Sequence, residues 1–164
     1  VFFIGVDPGT RGAVAIISDD ANAKVFPLNK EDDLARNVRT YLSVLPSSET
    51  LAAVEDLHAI FGVPARTNFV LGWSCGYWHG VLNTLDIPVT VVAPKVWQGE
   101  ITTAPLRPFK PSKKELYAHK KALKAESIRV ANELFPNVNT KHDGVADALC
   151  IAAWLRYRYN SSRL

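Results

Sequence analysis

Apolar positions come in two regimes along this chain. The first part carries short apolar blocks closed by turn-forming residues, and the later part carries apolar residues at helical spacing. Phe2-Phe3-Ile4-Gly5-Val6 ends at Asp7-Pro8-Gly9-Thr10, and Gly12-Ala13-Val14-Ala15-Ile16-Ile17 follows at once. Two such blocks across a Pro-Gly turn predict an antiparallel pair of buried strands. Lys24-Val25-Phe26-Pro27-Leu28 predicts a third strand, at an edge because of its proline. A helix opening at Asn29 or Lys30 has Glu31, Asp32 and Asp33 in its first turn, where they suit the helix dipole, and an apolar stripe of Leu34, Val38, Tyr41, Leu42 and Leu45 before Pro46. Leu51-Ala52-Ala53-Val54-Glu55 and Pro88-Val89-Thr90-Val91-Val92-Ala93 are two further strands. A helix capped by Thr67 and running to about Leu85 lies between them. A short helix starts near Pro94, a long one capped by Ser112 covers 113–134, and a last one covers about 143–159 with Ala146, Leu149, Cys150, Ala153, Trp154 and Tyr157 inward. Right-handed crossovers place the two later strands parallel to the first. The predicted architecture is α/β: one domain over 1–164, with a five-stranded mixed sheet, a β-meander plus two parallel strands, and helices on both faces.

Composition narrows the classes. At 164 residues and 48% apolar content the chain can bury a core without disulfides, and its two cysteines, Cys75 and Cys150, are too few for a disulfide scaffold or a zinc module. No uncharged apolar run of about 18 residues predicts a membrane-spanning helix. Methionine is absent and the chain opens at Val1 directly into a strand, which points to a processed or trimmed piece in which any preceding targeting segment is not seen. The net charge of +3 is unevenly distributed: −4 over residues 1–94 and +7 over 95–164. Arg107, Lys110, Lys113, Lys114, Lys120, Lys121 and Lys124 face a single Glu115 across 106–124, which suits a polyanion as well as it suits a solvated helix face.

Asp7 ends the first strand and Glu55 the fourth. If those strands are parallel neighbours, about 4.8 Å apart, both carboxylates leave the sheet at one edge. Asp143 and Asp147 lie four apart, on one face at the start of the last helix. Singly each has an ordinary explanation: a turn for Asp7, a cap or dipole partner for Asp143 and Asp147. Glu55, closing an apolar strand, needs a partner or water. Together they can share a cation. Oxygen ligands select Mg²⁺, with Mn²⁺ substituting, and two such ions suit phosphodiester hydrolysis. His142, beside Asp143, is either an exposed loop histidine or a ligand, proton shuttle or phosphate contact.

These residues carry a family resemblance over nearly the whole chain. Gly5-Val6-Asp7-Pro8-Gly9-Thr10-Arg11-Gly12-Ala13 resembles the first catalytic strand of RuvC-type Holliday junction resolvases. Val54-Glu55 with the helix segment Leu71-Gly72-Trp73-Ser74-Cys75-Gly76, then Ala93-Pro94-Lys95-Val96-Trp97, then His142-Asp143-Gly144-Val145-Ala146-Asp147-Ala148-Leu149, resemble the later blocks in order. The resemblance implies a ribonuclease H-like fold and a magnesium-dependent endonuclease that resolves Holliday junctions in DNA recombination and repair by paired symmetric nicks, leaving 5′-phosphate and 3′-hydroxyl ends. Within the group the chain looks most like the plant chloroplast (monokaryotic chloroplast) resolvases, which implies a chloroplast location. Asp7 matches the metal-bridging aspartate, Glu55 the second acidic ligand and Asp147 the last aspartate. Bacterial relatives often carry the fourth ligand three residues before that aspartate, where this chain has Gly144, so Asp143 or else His142 takes the role.

Further expectations concern the DNA and a second subunit. Gly72, Gly76 and Gly80 recur every four residues, either to pack on the chain's own sheet or to form the two-fold seam of a homodimer matched to a four-way DNA junction. Trp73, Tyr77 and Trp78 read as packing residues. In the loop after Glu55, Phe61 is either a wedge that unstacks bases or an anchor in the core, and Arg66 or Asn68 can read a base edge. Lys95, Arg107, Lys110, Lys113, Lys114, Lys120, Lys121 and Lys124 are expected at phosphates. A nuclease of the same fold acting on RNA and a non-catalytic nucleic-acid-binding module are the rival readings. A sugar-kinase or actin-like ATPase needs two such domains, and 164 residues argue against it.

Overall fold

The structure, a computed structural model, describes all residues except 21, 29–31, 59–61, 104–106 and 163–164, and leaves out the side chains of 32–35. The strands are β1 (Phe2–Asp7), β2 (Ala13–Ser18), β3 (Ala23–Pro27), β4 (Thr50–Glu55) and β5 (Val89–Val92). The α-helices are α1 (Asp32–Leu42), α2 (Ala65–Thr84), α3 (Pro94–Ile101), α4 (Lys113–Leu134) and α5 (Asp143–Ser161). The sheet order is β3-β2-β1-β4-β5. The β1–β2 and β2–β3 pairs are antiparallel, and the β1–β4 and β4–β5 pairs are parallel. This is the expected mixed sheet, with β1 at its centre and the proline-bearing β3 at an edge.

Alternation along the strands separates two apolar layers. Ile4, Val6, Val14, Ile16, Ala52 and Val54 face one side, with Val38 and Leu42 of α1 and Trp78, Val81 and Leu82 of α2. Phe3, Ala15, Ile17 and Ala53 face the other, against α3, α4 and α5. Helix α5 is buried from Gly144 to Leu155 except at Asp147, because it lies between the sheet and α3 and α4. Its small side chains let it lie close on β1. A Cβ at Gly5 would sit 2.1 Å from the Ala148 carbonyl oxygen and 2.5 Å from the Ala152 nitrogen, so only glycine fits where α5 crosses β1.

Several expected boundaries move. Helix α2 begins at Ala65, directly after Pro64, so Thr67 lies within the helix and does not cap it. Proline's fixed φ and missing N–H suit a helix entry, and Thr67, three residues on, already donates its own N–H to the Pro64 carbonyl at 2.9 Å. Helix α1 starts at Asp32, and the openings expected at Asn29 or Lys30 lie outside the described residues. Tyr157 is 55% exposed and does not face inward, because the buried stretch of α5 ends at Leu155. Ser112 caps α4 as expected, in a capping box with Glu115: the Glu115 N–H donates to Ser112 Oγ at 3.3 Å and the Ser112 N–H to Glu115 Oε2 at 2.8 Å. Cys75 and Cys150 are free thiols, and burial pushes the Cys150 thiol up to about 12. Among the described residues no helix is long and apolar enough to cross a membrane.

Candidate active site

The parallel register pairs Val6 with Val54, so the next residues, Asp7 and Glu55, leave the sheet side by side at one edge. Asp7 is 9% exposed and its Oδ1 accepts the Gly9 N–H at 2.8 Å, which fixes the carboxylate at the mouth of the β1–β2 turn. The N-terminus of α5 closes the same edge. At Gly144 a Cβ would meet the Arg11 carbonyl oxygen at 2.0 Å, so the helix start lies directly on that turn. This contact explains the spacing of the acidic block: no side chain fits three residues before Asp147, and the carboxylate stands four before it, at Asp143. His142 caps the helix, its Nδ1 accepting the Val145 N–H at 3.4 Å. A neutral imidazole that accepts at Nδ1 carries its proton on Nε2.

The carboxylates act on one another. Burial pushes Glu55 up to about 8, with the charges of Asp7 and Asp147 adding to it and the Trp97 hydrogen bond opposing it. Burial likewise pushes Asp147 up to about 7, opposed by a hydrogen bond from Ser127 and helped by the charges of Asp7 and Asp143. Asp7 is raised by burial, against its bond to Gly9. Asp143 behaves differently. Burial pushes it up, but the hydrogen bond and charge of Lys124 and the charge of Arg11 outweigh that and hold it below its usual range. Lys124 of α4 pairs with Asp143 Oδ2, and Arg11 Nη2 lies 3.4 Å from Oδ1. A cavity of about 230 Å³ opens beside the cluster, lined by Glu55, Asp147, Ser127, Lys120, Lys124 and Gln98 among others.

Two participants had no sequence signal. Lys124 was expected at a phosphate, and the structure places it on a carboxylate. Trp97, with no exposed surface, donates its Nε1–H to Glu55 Oε1 at 3.0 Å from the first turns of α3. That bond orients the half-buried carboxylate, because the indole is locked in the core. Trp97→Phe keeps most of the packing and removes the donor. With that bond gone, the Glu55 carboxyl is expected to titrate above its value of about 8, read by NMR pH titration of the carboxyl carbon. An unchanged titration, with circular dichroism also unchanged, would show that Glu55 needs no such support.

The donor set is oxygen throughout, which suits a hard divalent cation rather than zinc. Buried carboxylates that raise one another's pKa are relieved by such a charge. As the side chains stand, no three His, Cys, Asp or Glu among the described residues close around one point to hold an ion, and Asp143 is turned to Lys124 and Arg11 instead.

The remaining expected residues spread over the surface around this edge. Lys95 of α3, Lys110, and Lys113, Lys114, Lys120 and Lys121 of α4 are exposed, as is Arg66 at the start of α2, where Asn68 is half-buried. Phe61 lies outside the described residues. Gly72, Gly76 and Gly80 are exposed, and an added Cβ at any of them meets nothing within 4 Å, so they do not pack on the chain's own sheet. Trp78 is buried, but Trp73 is 65% exposed, contrary to its expected packing role. The reason is that the 20 residues of α2 bury only Trp78, Val81 and Leu82, all toward its end, and leave its first half off the sheet.

No protein-family model matches the chain, and no curated protein sequence matches it. Solved structures do, among them two of Thermus thermophilus RuvC. The Thermus thermophilus RuvC structure in complex with Holliday junction substrate matches with a TM-score of 0.64 at 12% identity, covering 98% of this chain and 96% of that one. The Thermus thermophilus RuvC structure matches with a TM-score of 0.54 at 15% identity, covering 99% and 97%. From end to end, then, the chain has the ribonuclease H-like α/β fold of RuvC, with its carboxylates gathered where the two central parallel strands end.

Proposed function

We propose that the chain is a divalent-metal-dependent endonuclease that resolves four-way DNA junctions by paired nicks. The observation that carries the reading is the gathering of Asp7, Glu55, Asp143 and Asp147 at one sheet edge beside the basic helix α4. Support comes from the fold shared with RuvC, one of whose structures holds a Holliday junction substrate. A chloroplast setting is supported by the sequence resemblance alone.

Asp7, Glu55, Asp147 and Asp143 would hold Mg²⁺, with Mn²⁺ as substitute and room in the donor count for two ions, which when bound supplies the Lewis acidity for water to attack phosphorus and for the leaving oxygen to depart. The chain's own residues do the rest. Trp97 fixes the direction of Glu55. Lys124 and Arg11 hold Asp143, and both cations would be available to a phosphate if that carboxylate served as a metal ligand instead. His142, which caps α5 beside Asp143 and lies close enough to act electrostatically on Asp7, is placed to give a proton to the departing oxygen. Lys95, Lys110, Lys113, Lys114, Lys120 and Lys121 neutralise phosphates and so position the arms without reading sequence. The test is cleavage of four-way junctions, forked DNA and RNA duplexes with and without Mg²⁺. Paired nicks in the junction only with the ion support the reading. Preferential RNA cleavage, or binding with no nick in any divalent ion, overturns it.

A homodimer completes the proposal. Phe69, Trp73, Gly76 and Gly80 recur at helical spacing on the exposed face of α2, with Phe69 72% exposed and aromatic bulk at one end of the stripe and bare backbone at the other. In an antiparallel two-fold pairing the aromatic end of one helix covers the glycine end of its partner, and two sites then face opposing strands. Trp73→Asp is expected to convert the dimer to a monomer by analytical ultracentrifugation and to abolish paired nicking while single nicks persist. A wild-type chain that sediments as a monomer at micromolar concentration, with junction present, would remove the dimer from the proposal.

A further inference from the structure

Helix α4 carries more than lysines on the side that leads to the site. Lys113, Tyr117, Lys120 and Lys124 recur at intervals of four, three and four, which places them in one narrow stripe of the helix. The stripe ends in the cavity beside Glu55 and Asp147, which Lys120 and Lys124 line. At its other end Tyr117 is 73% exposed, and Phe109, just before the capped helix start, is 89% exposed, more than any other large apolar side chain described. Among the described residues neither ring takes part in an aromatic pair. Lys110 has a φ of +47°, in the left-handed region that lysine seldom occupies, and its ammonium lies 5.3 Å from the Phe109 ring centroid. The Ser112–Glu115 capping box fixes the chain directly after this pair. An aromatic ring held out into water beside a cation is costly for a surface loop and suits a flat, negatively charged partner.

We infer that Phe109 and Tyr117 are base-stacking residues on a track that leads one DNA strand along α4 into the carboxylate site, with Lys113, Lys120 and Lys124 following its phosphates. The inference deepens the junction-nuclease reading and rests on it. Single-strand grooves combine these two elements, aromatic platforms and a basic path. The dimensions agree. Tyr117 precedes Lys124 by seven residues, about 10 Å along the helix axis, which is the rise of about three stacked nucleotides. Tyr117 therefore meets a base about three nucleotides from the phosphate held at the carboxylates, and Phe109 meets one further out, where an unpaired or opened arm offers a free base face.

The test uses the full chain and four-way junctions carrying 2-aminopurine at single positions one to six nucleotides from the cut. Binding is measured in an Asp7→Asn background so that the DNA stays intact. A change in fluorescence is expected about three nucleotides from the cut, lost in Tyr117→Ala and retained in Tyr117→Phe. Phe109→Ala and Tyr117→Ala are each expected to weaken junction binding about tenfold, the scale of one lost stack. Their salt dependence should match that of the parent, since no phosphate contact is lost. Lys113→Ala should instead lower the slope of log K against log salt by about 1. Both aromatic positions are exposed, so circular dichroism of the variants should be unchanged. If the parent binds the junction, and wild type cuts it, while both aromatic variants bind as tightly as the parent with the same fluorescence profile, the track is overturned and the nuclease reading stands. If wild type binds and never cuts, the nuclease reading fails, and an unaltered fluorescence signal in the aromatic variants overturns the track as well.

Discussion

Asp7→Asn is expected, on the proposed junction-nuclease activity, to bind four-way junctions at least as tightly as wild type but to cut them at least about 10³-fold more slowly, beyond the about 10–100-fold cost of an outer-shell change. The substitution keeps the Oδ1 that accepts the Gly9 N–H, so the β1–β2 turn survives. It removes one negative charge from a cluster that a phosphate must approach, which favours binding. What it takes away is the carboxylate beside both Glu55 and Asp147. The same change should stabilise the metal-free protein. Glu55 and Asp147 have folded pKa values of about 8 and about 7, above their ordinary values of 4.5 and 3.8. The folded chain therefore holds protons that the unfolded chain has released. The stability that these two groups contribute to the metal-free protein is fully present below about pH 4 and is lost as the pH rises through 7 to 8. Removing the Asp7 charge lowers both pKa values and flattens that decline. Thermal denaturation in EDTA should show Asp7→Asn melting several degrees above wild type at pH 8 and close to it at pH 4, since about 1 kcal/mol moves Tm by about 2–4 °C at this size. Asp143→Asn should give no such gain, because Lys124 and Arg11 already balance that charge. Wild-type cutting by Asp7→Asn in Mg²⁺ would remove the basis of the mechanism.

Gly5→Ala is the most damaging single methyl expected anywhere in the sheet. The added carbon would lie 2.1 Å from the Ala148 carbonyl oxygen and 2.5 Å from the Ala152 nitrogen, and both are helix backbone that no rotamer change can move. Helix α5 must lift off β1. Overpacking costs about 1–3 kcal/mol and occasionally more, and a backbone clash of this depth belongs at the upper end, a fall in Tm of order 10 °C. Asp147 rides on the displaced helix, so cleavage should drop even below the unfolding transition. A variant melting within about 2 °C of wild type would mean that α5 approaches β1 less closely than described.

Much of this was legible in the sequence, for identifiable reasons. Short apolar blocks ended by Asp7 and Glu55 located two strands and their ends, and strand adjacency then follows from connection rules. The start of α5 was visible because Asp143 and Asp147 share a helical face. Contacts between distant segments left no local pattern. Nothing in Ala93-Pro94-Lys95-Val96-Trp97 says that the indole reaches Glu55, 42 residues away. Lys124 sits in a lysine-rich run, where its pairing with Asp143 is indistinguishable from solvation. Trp73 was misjudged because amphipathic spacing shows which residues share a face and not whether anything covers it. Gly144 looked like a missing ligand until the Arg11 carbonyl oxygen explained why no side chain stands there.

The first strand finds its principal partner in the last helix, with nearly the whole chain between them. Such remote pairing closes late and slowly, since an enormous loop must shut before it is rewarded. During synthesis Asp7 and Glu55 can be in place while Asp143 and Asp147 have yet to be made. The carboxylate cluster therefore comes into being in two instalments, and translation itself keeps it incomplete until α5 emerges.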